Sequence, residues 1–206
     1  MDIANTKPSF AGLGLSPATL ESLAAKGYST PTDVQAEAIP RALAGKDLVV
    51  QSRTGTGKTA AFGLPMAEMV DPTLGVQGVV LAPTRELALQ VAEELTSLGR
   101  AGGIKLEIIY GGDSMDRQVE GLRAGAHVVV GTPVRILDHL RRRTLKFDAV
   151  KLLVLDEADR MLDMGFAVEM GQIMEYMPAE RQTLLFSATV PLGIRGLIYH
   201  YLNEPE

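Results

Sequence analysis

The sequence predicts an α/β protein in which helices cover both faces of a mostly parallel sheet of about seven strands. Short apolar runs alternate with longer segments of helical periodicity along most of the 206 residues. Strands that are apolar throughout are typical of parallel sheets, because both of their faces are buried. With 46% hydrophobic residues, a chain of this length suits one compact domain. We expect a single domain over residues 1–206, with a flexible N-terminus over residues 1–9.

The predicted elements carry recognisable start and stop signals. Behind an apolar lead-in at 10–15, Ser16 is the N-cap and Pro17 the first residue of a helix that Gly27 ends. A second helix ends near Gly45. Apolar runs predict strands at 48–50, 76–82, 105–110, 127–130, 151–155 and 183–186. Helices are predicted at 60–70, 85–98, 114–124, 134–142, 168–176 and 192–201, with a short helix ahead of 168. Function is expected in the loops at the carboxyl ends of the strands.

Composition and charge exclude several kinds of binding site and several cellular locations. The lack of cysteine excludes disulfides and cysteine-ligated zinc, and the three histidines are too far apart in sequence to suggest a metal cluster. No apolar run approaches a membrane span and the N-terminus lacks the form of a signal peptide, so we expect a cytoplasmic protein without membrane contact. We also expect it to be a monomer. A net charge of −5 argues against bulk attraction to nucleic acid, so any such contact must come from a few placed groups. The densest basic run, 141–143, is expected to be a solvated helix end.

A glycine-rich loop follows the first strand and precedes a helix. Its glycines let the backbone curl so that several N–H groups point into one concavity, and the helix adds the positive end of its dipole. Lys58 is placed to reach the β- and γ-phosphates, and the Thr59 hydroxyl to bind Mg²⁺. The alternative is that this segment is an ordinary surface loop that contains a lysine and does not bind phosphate. The residues predicted to bind the polyphosphate are Ser52, Arg53, Thr54, Gly55, Thr56, Gly57, Lys58 and Thr59.

A second decisive stretch, L-L-V-L-D-E-A-D at 152–159, places carboxylates at the end of a buried strand. Asp156 is expected to anchor the same Mg²⁺ largely through water, because this ion sheds its waters reluctantly. Glu157 is then free to orient and deprotonate the water that attacks the γ-phosphate. Alternatively, these acids only complement the dipole of the helix that follows.

The tetrad Asp156 to Asp159 is the signature of the DEAD-box RNA helicases, and the chain resembles that family's first RecA-like, ATP-binding domain from about Phe10 to the last helix. The family's blocks occur in the family's order. They are the Q motif (27–35, with Phe10 upstream), the phosphate loop (52–59), motif Ia (83–88), the glycine doublet (111–112), motif Ib (132–135), the D-E-A-D tetrad and motif III (187–189). Ser52 stands where the strict phosphate-loop pattern has glycine, and the family commonly has a small residue there.

The resemblance implies how ATP is recognised. The amide of Gln35 can pair with an adenine edge in two directions, which favours ATP over GTP. Tyr28 would stack on the base, and Phe10 and Thr30 belong to the same adenine-binding block. Without the resemblance, Tyr28 would be interpreted as a core residue and Gln35 as a solvated helix residue.

The resemblance also implies an RNA site and its coupling to ATP. Hydroxyls, exposed N–H groups at helix starts and arginines suit binding to an RNA backbone without base readout. The residues implied are Pro83, Thr84, Arg85, Gly111, Gly112, Thr132, Pro133 and Arg135. Val134 replaces the glycine usual in motif Ib, where a branched side chain could clash with RNA, and the two threonines could instead serve only as helix caps. In the family, the equivalents of Ser187 and Thr189 pair with that of Asp159 and complete a catalytic set with Lys58, Asp156 and Glu157.

The family also uses a second RecA-like domain, whose arginines complete the γ-phosphate site. We expect this chain to be the first domain alone, binding ATP and Mg²⁺ but hydrolysing ATP slowly, since such an arginine can contribute ~10³ or more in rate. The longer protein would be an ATP-dependent RNA helicase that binds single-stranded or duplex RNA and unwinds short duplexes. Two alternatives stay open. They are a non-catalytic, nucleotide-dependent module that binds RNA or a protein partner, and another phosphate-loop motor such as a DNA translocase.

Overall fold

The structure, a computed structural model, describes residues 9–53 and 55–206. Its strands form one sheet in the order β1-β6-β5-β2-β4-β3, and every neighbouring pair is parallel. Each strand lies within or beside a run that the sequence predicts as a strand. The strands are β1 (Leu48–Gln51), β2 (Gly78–Leu81), β3 (Leu106–Ile109), β4 (Val128–Gly131), β5 (Leu152–Leu155) and β6 (Gln182–Ser187).

The described residues thus form six strands, one for each apolar run, where about seven are expected; a single further residue, Glu206, also bonds the edge of β1. Glu206 donates its N–H to the carbonyl of Asp47 and accepts from the N–H of Val49, both at 2.9 Å. One residue of a parallel strand makes this pair of bonds with its neighbour. Glu206 therefore pairs with β1 as a residue of a further parallel strand would.

Helices follow the strands nearly as the sequence predicts. The Ser16 hydroxyl accepts from the N–H of Thr19 and Pro17 is the first helical residue, as expected. The flexible terminus predicted over residues 1–9 falls almost entirely outside the described residues. The helices are a 3-10 helix (Phe10–Leu13), α1 (Pro17–Ala25), α2 (Asp33–Leu43), α3 (Lys58–Met69), α4 (Arg85–Leu98), α5 (Met115–Arg123), α6 (Pro133–Arg141), α7 (Ala158–Asp163), α8 (Ala167–Met174) and α9 (Leu192–Tyr201).

Helices cover both faces of the sheet, so the sheet has a core on either side. Successive strand residues point to opposite faces: Val79 belongs to the core cluster that also contains residues of α6, α7, α8 and α9, whereas Val80 belongs to the cluster with residues of α2, α3 and α4. Both valines are fully buried. This burial on two faces explains why the central strands β2, β4 and β5 carry no polar side chains, and it confirms the predicted layers. No helix in the described part of the chain is long and apolar enough to span a membrane.

Candidate functional site

Because all strands are parallel, the loops that follow them meet at one edge of the sheet. On one half of this edge, β1, β6 and β5 deliver the glycine-rich loop, residues 187–189 and the D-E-A-D tetrad. On the other half, β2, β4 and β3 deliver residues 83–85, 132–135 and 111–112. The strand order thus groups the residues predicted for ATP apart from those predicted for RNA, along a single continuous edge.

The glycine-rich loop is shaped by two left-handed glycines and by its contact with β6. Gly55 and Gly57 have φ of +83° and +86°, and Gly57 is the N-cap of α3. Ser52 is buried, its hydroxyl bonds that of Thr56, and its N–H donates to the carbonyl of Ser187 at 3.0 Å. Arg53 is exposed, and Thr54 lies outside the described residues. A small side chain therefore fits at Ser52, where the loop begins.

Two residues of the predicted adenine-binding block are hydrogen-bonded to this loop. The Thr32 hydroxyl donates to the carbonyl of Thr56 at 2.9 Å, and Gln35 Nε2 donates to that of Gly57 at 3.1 Å. Thr32 and Gln35 also form the capping box that starts α2. The Gln35 amide keeps one further N–H and one further lone pair, which is the donor and acceptor set that an adenine edge requires. This residue is 4% exposed, so its orientation is fixed by the loop.

The phosphate-binding and acidic stretches line one cavity of about 320 Å³. Lys58 and Thr59 enter it from the start of α3, and Asp156 and Glu157 from the end of β5. Tyr28 and α4 form its other walls. Larger cavities of 550 and 410 Å³ lie elsewhere and contain none of the predicted site residues.

Asp156 is the most strongly perturbed acid of the site. It is 2% exposed, and burial raises the pKa of its carboxyl to about 6, although Lys58 opposes the rise. Lys58 Nζ lies 3.8 Å from Asp156 Oδ1, and the N–H of Glu157 donates to the same oxygen at 3.0 Å. This carboxylate is therefore incompletely compensated, which is the condition in which a further cation is favoured beside it.

Glu157 has a left-handed backbone, with φ of +50° and ψ of +50°, between β5 and α7. Non-glycine residues rarely adopt this conformation, and where they do it is often at a functional site. Its carboxylate lies 3.2 Å from Arg160 Nη1 and lines the cavity. Asp156 and Glu157 thus both line the cavity from the end of one strand.

The last acid of the tetrad is bonded to residues 187–189. Asp159 Oδ2 accepts from the N–H and the hydroxyl of Thr189 at 3.0 and 2.8 Å, and the N–H of Asp159 donates to Ser187 Oγ at 3.3 Å. Burial alone would raise the pKa of Asp159, but the hydrogen bonds from Thr189 and Ser187 outweigh it, and the pKa is lowered. Thr189 thus pairs with the Asp159 carboxylate as the resemblance implies, whereas Ser187 bonds the backbone N–H of Asp159 instead.

Tyr28 forms a wall of the cavity and is held from two sides. Its hydroxyl donates to Glu94 Oε1 of α4 at 2.7 Å, and burial together with Glu94 raises the pKa of this phenol to about 12. Phe10 is buried, with its ring 6.4 Å from that of Tyr28 and nearly parallel to it. Phe10 thus supports Tyr28 from behind rather than lining the cavity, and Thr30 is exposed outside it.

The residues predicted for RNA occupy the other half of the edge. Thr84 caps α4, its hydroxyl accepting from the N–H of Leu87 at 3.2 Å, and buried Pro83 precedes it. The Arg85 guanidinium lies 4.6 Å from the centre of the Tyr110 ring.

Thr132 is the N-cap of α6 but makes no side-chain cap bond, and Pro133 follows it. Gly111, Thr132 and Arg135 line a cavity of about 460 Å³, with Gly112 exposed beside it and Val134 54% exposed.

Comparison with known proteins agrees with this geometry. The sequence pattern of the family described as DEAD/DEAH box helicase matches residues 32–195. That match covers most of the chain and includes nearly every segment at the functional edge. The chain belongs to the DEAD/DEAH box helicase family.

Individual members of the DEAD/DEAH box family are similar over nearly the whole chain. The DEAD-box ATP-dependent RNA helicases CshA of Bacillus cereus and Bacillus thuringiensis are each 50% identical over 198 residues, which is 96% of this chain and 38% of theirs. A crystal structure of a DEAD box protein from the hyperthermophile Methanococcus jannaschii superimposes with a TM-score of 0.93 at 43% identity. The match covers 96% of this chain and 55% of that one. The chain therefore spans well under half the length of the curated relatives.

Sequence reasoning missed the part that α4 plays in this DEAD/DEAH box domain. The sequence predicts a function only for its first turn, yet Leu87, Gln90, Val91 and Glu94 line the cavity that also contains Lys58 and Asp156. Their spacing of three and four residues puts them on one helix face, which is the signal that could have revealed them. Helix α4 thus begins among the residues predicted for RNA and passes along the cavity predicted for ATP.

Proposed function

We propose that this chain is the ATP-binding half of an ATP-dependent RNA helicase. The observation that carries the proposal is the single cavity in which Lys58, Thr59, Asp156 and Glu157 meet. A loop that presents backbone N–H groups and a lysine can bind phosphates. Of the adjacent carboxylates, one can bind the metal ion and the other can orient the attacking water. Gln35 and Tyr28 would then select and stack the adenine.

Mg²⁺ fits the donor set of this cavity. Asp156 is a buried carboxylate with a raised pKa, and its nearest cation, Lys58, is 3.8 Å away, so a divalent ion would relieve its desolvation. The Thr59 hydroxyl lines the same space. Mg²⁺ is commonly held by one or two carboxylates, a hydroxyl, waters and substrate phosphates. When bound, it supplies neutralisation of the charge that develops on the phosphates.

Hydrolysis needs a base that faces the terminal phosphate. Glu157 would orient a water so that its oxygen bonds to the γ-phosphorus while the bond from phosphorus to the ADP oxygen breaks, and the carboxylate would take the water's proton. Lys58 would hold the β- and γ-phosphates in line with this water. The position of Glu157 supports the role, because this residue lines the cavity beside Asp156 and has the left-handed backbone that is often found at functional sites.

RNA would bind through its backbone along the other half of the edge. Arg85, Arg135 and the hydroxyl of Thr132, which makes no cap bond, are groups that can contact phosphates and ribose without reading bases. The bonds that Asp159 makes with Thr189 and Ser187 lie within the ATP half and join the acidic turn to the end of β6, so they would fix this turn relative to β6. Unwinding would require a second helicase domain that closes over both sites.

ATP turnover with and without single-stranded RNA tests this proposal, using this chain alone and mixed with a separately made second domain from a relative. We expect slow turnover by the chain alone and RNA-stimulated turnover in the mixture. Glu157→Gln is the control, and it should bind ATP but abolish turnover. Stimulation by DNA as strong as by RNA would favour a DNA translocase, and turnover that no partner domain restores would favour a non-catalytic module.

A further inference from the structure

Two buried polar side chains lie behind the RNA half of the edge and have no part in the function proposed above. Gln118 of α5 and His139 of α6 are both 0% exposed. Burying such groups costs free energy unless they are hydrogen-bonded. An apolar side chain of similar volume would pack there without that cost. The contribution of Gln118 and His139 must therefore lie in the hydrogen bonds that they make.

The Gln118 amide joins two of the segments assigned to RNA. Its Nε2 donates to the carbonyl of Tyr110 at 3.0 Å, so its oxygen is the acceptor for the remaining bonds. That oxygen lies 3.3 Å from Arg135 Nη1 and 2.9 Å from His139 Nε2. His139 Nε2 therefore carries a hydrogen, and its Nδ1 lies 2.8 Å from the Thr144 hydroxyl. This chain of bonds fixes the rotamer of Gln118 from behind.

Tyr110 extends the connection to the third segment. Its carbonyl is the one that Gln118 holds, it immediately precedes Gly111, and its ring lies 4.6 Å from the Arg85 guanidinium. One buried amide therefore bonds the backbone ahead of the glycine doublet and the guanidinium of Arg135. Through the Tyr110 ring, it also supports the arginine that begins α4.

We propose that Gln118, held in place by His139, is a positioning residue that sets Arg135 and the Tyr110–Gly111 backbone for RNA phosphates. The inference rests on the RNA site proposed above. A long arginine side chain loses rotamer entropy when it binds a phosphate. A fixed acceptor beside Arg135 restricts its rotamers already in the RNA-free protein, so less entropy is lost on RNA binding. A fully bonded buried network specifies such a geometry more sharply than apolar packing does.

The experiment measures binding of a labelled single-stranded oligouridylate at low salt by fluorescence anisotropy. The variants are Gln118→Met, Arg135→Ala and the double variant, with ADP affinity and thermal unfolding measured in parallel. We expect Gln118→Met to weaken RNA binding by about 3- to 10-fold, the effect of one lost hydrogen bond, and to leave ADP affinity unchanged. In the Arg135→Ala background, the same substitution should weaken binding little further, because Gln118 acts through Arg135.

Gln77→Met is the matched control. Gln77 is a buried glutamine, 1% exposed, that bonds the backbone at residues 71 and 75, just ahead of β2 at the opposite edge of the sheet. It should lower thermal stability without weakening RNA binding. His139→Leu removes the donor behind Gln118 and provides a second test if Gln118→Met does not fold; it should also weaken RNA binding.

Unchanged RNA affinity in a folded Gln118→Met or His139→Leu variant, with a weakened Arg135→Ala variant, would overturn the positioning role alone. If the losses of RNA affinity in Gln118→Met and Arg135→Ala added fully in the double variant, the positioning role would also be overturned. Additivity would mean that Gln118 does not act through Arg135. Unchanged RNA affinity in Arg135→Ala would instead overturn the RNA assignment of Arg135, and this inference with it. The failure of the inference and that of the RNA site are thus distinguishable.

Discussion

Lys58 Nζ lies 3.8 Å from Asp156 Oδ1, and both side chains are almost fully buried. This distance exceeds that of a charge-assisted hydrogen bond, about 2.8 Å, so the lysine offsets only part of the cost of burying the carboxylate. The pKa of Asp156 is accordingly raised to about 6. Burying these two charges therefore costs free energy when no ligand is bound. Nucleotide phosphates would offset the charge of Lys58, and Mg²⁺ would offset that of Asp156.

The first prediction concerns the stability of the nucleotide-free chain. Because the folded-state pKa of Asp156 is about 6 and its ordinary value is 3.8, the folded state binds this proton more tightly. The contribution to stability is therefore full below the ordinary pKa and is lost as pH rises through the folded one. Asp156→Asn should raise the free energy of unfolding by about 1–3 kcal/mol near pH 8 and weaken Mg²⁺-nucleotide binding.

Urea unfolding between about pH 4 and pH 8 measures this effect. The difference between Asp156→Asn and the unsubstituted chain should grow with pH and level off above the raised pKa. A difference that is constant with pH, or a variant less stable at high pH, would show that burial does not dominate at this carboxylate.

A second prediction follows from the left-handed backbone of Glu157. Glycine adopts this conformation without the steric cost that other residues incur, so Glu157→Gly should raise the free energy of unfolding by about 0.5–1 kcal/mol. It should also remove the base, and with it ATP turnover in the presence of a second domain. Arg143, with φ of +58°, is the matched control. Arg143→Gly should stabilise the fold similarly and leave turnover intact, and equal turnover in both variants would refute the role of Glu157.

The two threonines predicted for RNA differ in their local bonds, which leads to a third prediction. The Thr84 hydroxyl caps α4, whereas Thr132 makes no side-chain cap bond. Thr84→Ala should therefore lower the free energy of unfolding by about 1 kcal/mol, and Thr132→Ala should leave it nearly unchanged. Both should weaken oligouridylate binding. If Thr132→Ala changed neither quantity, the hydroxyl would have no part in the RNA site.

The layers and strands could be predicted because the relevant signals are local. Apolar runs bounded by turns define β2, β4 and β5, and Ser16 with Pro17 defines the start of α1. The loop and the D-E-A-D tetrad follow strands, so a parallel sheet already implies that they share an edge. The pairing of Glu206 with β1 could not be predicted, because it depends on the free edge of β1 and not on the sequence around residue 206.

The remaining features of the site depend on residues far apart in sequence. The contacts of Tyr28 with Glu94, Gln35 with Gly57 and Gln118 with Arg135 are set by packing between elements, and no local pattern encodes them. The left-handed turn at Glu157 was equally hidden, since glutamate gives no signal for positive φ. Phe10 was assigned to the adenine site, but only the fold shows that it acts behind Tyr28.

A fourth prediction concerns the buried imidazole of His139. Burial, helped by nearby Arg135, lowers the pKa of His139 below its ordinary value of 6.5. The unfolded chain then binds this proton more readily, so stability is full above pH 6.5 and is lost as pH falls through the folded-state pKa. His139→Gln should reduce the loss of stability between about pH 7 and pH 5, measured by urea unfolding. His200→Gln at an exposed position is the control, and an unchanged pH dependence in His139→Gln would contradict this account.

The central claim is that the loop and the Gln35 block form one adenine-nucleotide site, and calorimetric titration tests it most directly. The chain, Gln35→Ala and Thr32→Val would each be titrated with ADP, ATP and GDP in the presence of Mg²⁺. Thr32→Val removes both a bond to the loop and the N-cap bond of α2 but leaves the Gln35 amide, so it should weaken the binding of all nucleotides without changing the preference between them. We predict that the unsubstituted chain binds ADP and ATP but not GDP, and that Gln35→Ala loses this preference. Equal binding of ADP and GDP by the unsubstituted chain would contradict the claim.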